Sequence, residues 1–147
     1  MTDNDNIFNE IDINSGFEPV IINGNKESNP APTIIKVVGV GGGGSNAVNH
    51  MYAQNVNGVS FVVINTDRQA LNSSPVPERL LIGPQTTKGL GAGNVPEVAE
   101  KAAMESADEI SALFDDETKM VFITAGMGGG TGTGAAPIVA KIARDKG

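Results

Sequence analysis

Fourteen of the chain's nineteen glycines fall in three windows: five between Gly39 and Gly44, three between Gly89 and Gly93, and six between Gly126 and Gly134. A flexible linker would spread its glycines without apolar flanks, so this clustering marks loops built for a purpose. Gly39-Val-Gly41-Gly42-Gly43-Gly44 satisfies the spacing GxGxxG and runs into Ser45 and Asn46. Glycine there lets the backbone approach a pyrophosphate, and the free amides of a following helix face the anion. Gly128-Gly129-Gly130-Thr131-Gly132-Thr133-Gly134 offers a second run of amides with two hydroxyls. Neither window carries the lysine of a Walker loop. Charge compensation must then come from amides, hydroxyls and a bound cation, for which Mg2+ is the expected ion because it bridges phosphate oxygens and keeps several waters.

Asp67 lies 23 residues past Gly44, where a dinucleotide-binding fold places the acid that holds a ribose. An NAD-binding domain of an oxidoreductase is therefore one reading. It needs a single pyrophosphate loop, whereas two convergent anion nests suit a ligand with more phosphates, such as a nucleoside triphosphate. Other polar groups carry less. Asp67 can equally be a helix cap. His50, the one histidine, sits on a helix where packing or solvation accounts for it, and Asp115-Asp116-Glu117 reads as a solvated turn.

The elements that must position these loops follow from apolar patterning. Ile34 to Val40 is a buried strand interrupted only by Lys36, and it leads into the first window. A helix is expected from Ser45 or Asn46 to about Asn55, stopped by Gly58. Val59 to Ile64 is a second strand ending in Asn65-Thr66-Asp67, followed by a short helix through Ala70 and Leu71, and Arg79 to Ile82 is a third. Asn94 serves as the expected N-cap of a long helix with Pro96 in its first turn and an apolar stripe reaching Ile110. Lys119 to Ala125 is the fourth strand, entering the third window, and Ala135 to Ala143 the last helix. Strand alternating with helix predicts an α/β fold, an open parallel sheet of Rossmann-like topology that stops after the fourth strand and its helix. An apolar edge strand without a neighbour makes 33–147 the expected front portion of a longer domain.

Composition excludes several classes. There is no cysteine, hence no disulfide framework and no thiolate metal site, which suits a cytoplasmic protein. Apolar stretches are strand-length, so no membrane insertion is expected. Of the net charge of −7, residues 1–32 hold −5, from six acids and Lys26, together with seven asparagines and three prolines. That stretch reads as a disordered acidic extension, with Ile7 to Ile22 the one place for a short docking element. With no basic stripe, nucleic acid is set aside as a partner.

Four segments together resemble the tubulin/FtsZ family: Gly39-Val-Gly-Gly-Gly-Gly-Ser-Asn46, Asn65-Thr-Asp67, Lys88-Gly-Leu-Gly-Ala-Gly93 and, most specifically, Gly126-Met-Gly-Gly-Gly-Thr-Gly-Thr-Gly-Ala-Ala-Pro137. Thr133 and the absence of cysteine match the bacterial cell-division branch better than the tubulins. The resemblance runs from about Ile34 to Gly147. It implies a GTP/GDP site in which Gly41, Gly42, Gly43, Gly44, Ser45 and Asn46 and the loop Gly128 to Gly134 hold the phosphates. Asn65 and Asp67 would line that site, and Ala92, Gly93 and Asn94 would face the terminal phosphate. At Asn94 the chain departs from the small residue the family commonly carries. The resemblance further implies a GTPase that polymerises head to tail with itself into a ring at the division site, with hydrolysis completed across the interface. Membrane anchors and other division proteins would bind through segments not in this chain. The acidic loop that completes hydrolysis would also lie beyond 147, so no catalytic residue is assigned and 1–147 alone is expected to be inactive.

Overall fold

A computed structural model describes residues 21–22 and 33–147. In chain order the elements are β1 (Ile21–Ile22), β2 (Ile35–Val40), α1 (Gly41–Ala53), β3 (Val59–Asn65), α2 (Arg68–Asn72), β4 (Glu78–Leu81), α3 (Pro84–Thr87), α4 (Pro96–Glu105), α5 (Ala107–Ala112), β5 (Met120–Ala125) and α6 (Thr131–Asp145). The expectation of a disordered extension falls on residues 1–32, which apart from β1 lie outside the described residues. β1 is the far end of the stretch expected to dock, and it pairs antiparallel with β4, Ile21 opposite Leu80.

The sheet order is β1-β4-β3-β2-β5, and β2 to β5 are all parallel. This is the expected four-stranded parallel sheet. The chain moves outward from β2 through β3 to β4 and then returns to the other side of β2 as β5. Strand order therefore reverses between β2 and β5, and the crevice outside their carboxyl ends is where such sheets take ligands.

Alternation along the strands divides two cores. Val37, Phe61, Val63 and Leu81 pack with Val48 of α1 and Leu71 of α2 on one face. Val38, Val40, Val62, Ile64 and Leu80 pack on the other against alanines of α4 and α6 and Ile110 of α5. Successive side chains of a strand point to opposite faces, so Val37 and Val38 serve different helices. Lys36, buried in β2, donates to the Leu113 carbonyl and lies 3.8 Å from Glu78. Burial pushes the Glu78 carboxyl above its ordinary range, Lys36 pulls it back and Asp115 adds to the rise.

Several boundaries differ from the sequence-based expectation. α1 begins at Gly41 rather than Ser45, and α6 at Thr131 rather than Ala135. Low intrinsic propensity argues against glycine in a first turn, but close packing overrides it. A side chain at Gly44 would collide with the Thr124 carbonyl of β5, and one at Gly134 with the Pro96 carbonyl of α4. The long helix expected through Ile110 divides into α4 and α5 at Ser106, whose hydroxyl accepts the Gly83 N–H at 2.9 Å. Asn94 is not the cap of α4. It is left-handed (φ 59°), and Val95 takes the cap position with no side-chain bond.

Gly134→Ala tests this packing. In an unobstructed helix the change gains about 1 kcal/mol; here urea unfolding should show a loss of about 1–3 kcal/mol from overpacking against α4. Any gain in the unfolding midpoint would refute the close approach.

Candidate functional site

At the switch point a cleft of about 410 Å³ opens between the strand ends. Gly42 and Gly43 of α1, Gly129, Gly130, Thr131 and Gly132, and Ala92, Gly93 and Asn94 line it. Asn65 and Asp67 line it as well. The structure thus gathers eleven of the residues singled out from sequence into one cavity.

The remaining seven stand behind its walls or beside it. Gly41 and Gly44 are buried under the start of α1. Ser45 is buried with no hydrogen-bond partner for its Oγ among the described residues, and Asn46 is exposed on α1 outside the lining. Thr133 Oγ1 accepts the Gly128 N–H at 3.0 Å, which closes the third loop on itself. Gly134 is given over to the contact with α4.

Two kinds of glycine can be separated here. Gly44, Gly132 and Gly134 lack side chains because neighbouring carbonyls occupy the space. Gly42 and Gly129 have no atom of the described residues, beyond their own local backbone, within 4 Å of where a Cβ would stand, and neither is left-handed. Nothing inside the chain requires glycine at these two positions. Both residues line the cleft.

The polar groups around the cleft are arranged to donate. Asn65 Oδ1 accepts the Thr66 N–H at 2.8 Å and the Asp67 N–H at 3.3 Å, which leaves its amide nitrogen as the free end. Asp67 caps α2, accepting the Ala70 N–H at 3.1 Å, and also lines the cleft. No lysine or arginine lines the cleft, and Asp67 is its one carboxylate among the described residues. No group of three potential metal-ligating side chains is found there either. A cation in this cleft would have to be held chiefly by the ligand's own oxygens and water.

Sequence reasoning missed what holds the second window. α3, a single turn, presents its N-terminus to Glu105, whose carboxylate accepts the Gln85 and Thr86 N–H groups at 2.9 and 3.0 Å and the Thr86 hydroxyl at 2.6 Å. From α3 the chain continues through Thr87, whose hydroxyl accepts the Gly89 N–H, into Gly91, whose N–H donates to the Thr66 carbonyl. Thr66 itself is fully buried, and its Oγ1 lies 2.7 Å from Thr131 Oγ1. Its place between Asn65 and Asp67 was the available signal. A hollow of about 780 Å³ at the other end of the sheet, lined in part by Lys36 and Glu78, lies at the amino ends of the strands and brings no glycine loop with it.

Fold and cleft together define an α/β domain of the nucleotide-binding class. The profile described as the Tubulin/FtsZ family, GTPase domain, matches residues 34–147, and the chain belongs to that family. It is 56% identical over 130 residues to the cell division protein FtsZ of Porphyromonas gingivalis, covering 88% of this chain and 28% of that protein. Among solved structures, an FtsZ dimer from M. jannaschii matches with a TM-score of 0.75 and 46% identity over 80% of this chain and 34% of that one. A GTPγS-bound protofilament of CetZ2 from Haloferax volcanii matches at a TM-score of 0.65 and 30% identity, over 73% of this chain and 34% of that one. The chain therefore spans about a third of the length of these relatives. No helix among the described residues is long and apolar enough to cross a membrane.

Burial works against ionisation of Glu105, but the Thr86 hydroxyl and the Gln85 and Thr86 amides outweigh it and hold the carboxyl below its ordinary 4.5. A lowered folded value contributes stability above the unfolded value and loses it as pH falls through the folded one. Exchange protection of the Gln85 and Thr86 amides should fall several-fold on acidification below pH 4.5. In Glu105→Ala the protection should already be low at neutral pH and show no such step; a wild-type profile in that variant would refute the cap.

Proposed function

We propose that this chain is the phosphate-binding portion of a GTP-hydrolysing cell-division protein that polymerises head to tail into the ring at the division site. The observation that carries the reading is the open space at Gly42 and Gly129, which line one cleft and where no other described residue excludes a side chain. Phosphates between the two loops would fill it. Amides of α1 and of the loop before α6 would donate to the anion, and the helix dipoles favour negative charge there. Ala92, Gly93 and Asn94 would face the terminal phosphate, with Asn65 and Asp67 towards the sugar. Mg2+ would neutralise the phosphates in place of the absent lysine.

Family membership and the relatives' division role support the rest of the proposal. Hydrolysis would be completed by a neighbouring subunit, since heterologous head-to-tail contacts generate filaments. The protein would act in the cytoplasm, with membrane anchors and other division proteins as further partners and no nucleic acid. An NAD-binding oxidoreductase domain is not favoured, because the second loop and the family both speak for GTP.

Six charged hydrogen bonds to phosphate at ~1.5 kcal/mol gross roughly 9 kcal/mol. Association costs an estimated 4 to 15 kcal/mol, which leaves little net affinity without a grip on the base. Calorimetric titration of this chain alone with GTP should give a dissociation constant weaker than about 1 µM. The full-length protein should bind GTP in preference to ATP and NAD, and Gly42→Val should abolish that binding with little change in melting temperature. Preferential binding of NAD would overturn the proposal.

A further inference from the structure

Thr66 is wholly buried at the carboxyl end of β3, and its hydroxyl has one hydrogen-bond partner among the described residues, Thr131 Oγ1 at 2.7 Å. Thr131 is the first residue of α6 and lines the cleft. A hydroxyl has one proton to give and two lone pairs to receive. If Thr131 donates to Thr66, the Thr66 proton is left unpaired in a site closed to bulk solvent, which is costly, and Thr131 turns lone pairs toward the cleft. If Thr66 donates to Thr131, the buried proton is satisfied and the proton of Thr131 is free to point outward. Burial of Thr66 selects the second arrangement.

We infer that Thr66 is a positioning residue that fixes the polarity of the Thr131 hydroxyl, making it a donor aimed at an anionic oxygen in the cleft. The inference rests on the reading that this cleft holds nucleotide phosphates. The two hydroxyls form a short chain in which each bond polarises the next, strengthening the terminal donor. The same residue joins the loops on both sides of the cleft. Its carbonyl accepts the Gly91 N–H at 3.1 Å and the Thr87 hydroxyl at 3.3 Å, and its hydroxyl reaches across to the third window. Presentation of the Thr131 donor and placement of the rim at 90–94 are thus set from one buried residue.

The test measures GTP dissociation constants, in the full-length protein, for Thr66→Ser, Thr66→Val and Thr66→Ala, alone and with Thr131→Ala. Serine keeps the hydroxyl and loses volume, valine keeps the volume and loses the hydroxyl, and alanine loses both. Affinity should follow the hydroxyl: Ser within about twofold of wild type, Val and Ala weaker by about tenfold, the worth of one hydrogen bond to a charged group. With Thr131→Ala already present, Thr66→Val should cost nothing more, because the donor it orients is gone. Affinities that follow volume instead, with Val like wild type and Ser weakened, would overturn the inference, as would equal affinities throughout or a fully additive double variant. Should Val not fold, Ser against Ala still separates hydroxyl from packing. A wild-type protein that binds no GTP would instead remove the phosphate reading itself, and this inference with it.

Discussion

Where α1 passes β5, the Thr124 carbonyl oxygen stands in the space that a side chain at Gly44 would need, and the Gly126 carbonyl does the same at Gly132. Two helices are thereby drawn in until their first turns touch β5 and the residue that follows it. Everything about the cleft follows from that approach. Its width is set by backbone against backbone, which cannot hop between rotamers as side chains do, so the amide donors are held in place before any ligand arrives. Loosening either contact by one methyl group would move a whole helix start, because the helix is the smallest rigid unit that can respond.

Around this rigid centre the chain uses polar side chains as ties. Glu105 caps α3 and Ser106 takes the Gly83 N–H, so one end of α4 fixes the entry to the rim loop. At the other end of the sheet, Lys36 reaches the Leu113 carbonyl and pairs with Glu78. That pair is weak evidence for stability, since desolvation offsets attraction in a buried bridge. Its clearer effect is to fix how α5 and the turn after it sit beneath β2. Polar ties at both ends leave the middle of the sheet to apolar packing alone.

The strands were legible in the sequence because each is a continuous β-branched run, and the division of Val37 from Val38 follows from the period of two. The helix starts were less so. Propensity places glycine outside helices, while Gly44, Gly132 and Gly134 are helical here, where neighbouring carbonyls leave room for nothing larger. α3 escaped notice since four residues carry no period, and its cap comes from a carboxylate 19 residues on from Thr86. For the cleft, the glycine windows brought up residues that line it but could not say which glycines reach the lining. Asn94 was misjudged because side-chain type alone does not distinguish a cap from a left-handed turn. Thr66 was passed over because its partner lies 65 residues away, beyond any local pattern.

A cleft lined by amides and hydroxyls, with no lysine or arginine, has a consequence in kinetics as well as in affinity. Dipoles act at contact range, where dissolved ions cannot intervene, so a bound polyanion would be held about as tightly in concentrated salt as in dilute. Its approach is another matter. The chain carries a net charge of −7 and no lysine or arginine lines the cleft among the described residues, so its overall field opposes an approaching anion. Salt screens that repulsion. For this architecture, ionic strength should accelerate the arrival of a negatively charged ligand while leaving its departure almost unchanged, the reverse of the behaviour of sites that capture phosphate with basic side chains.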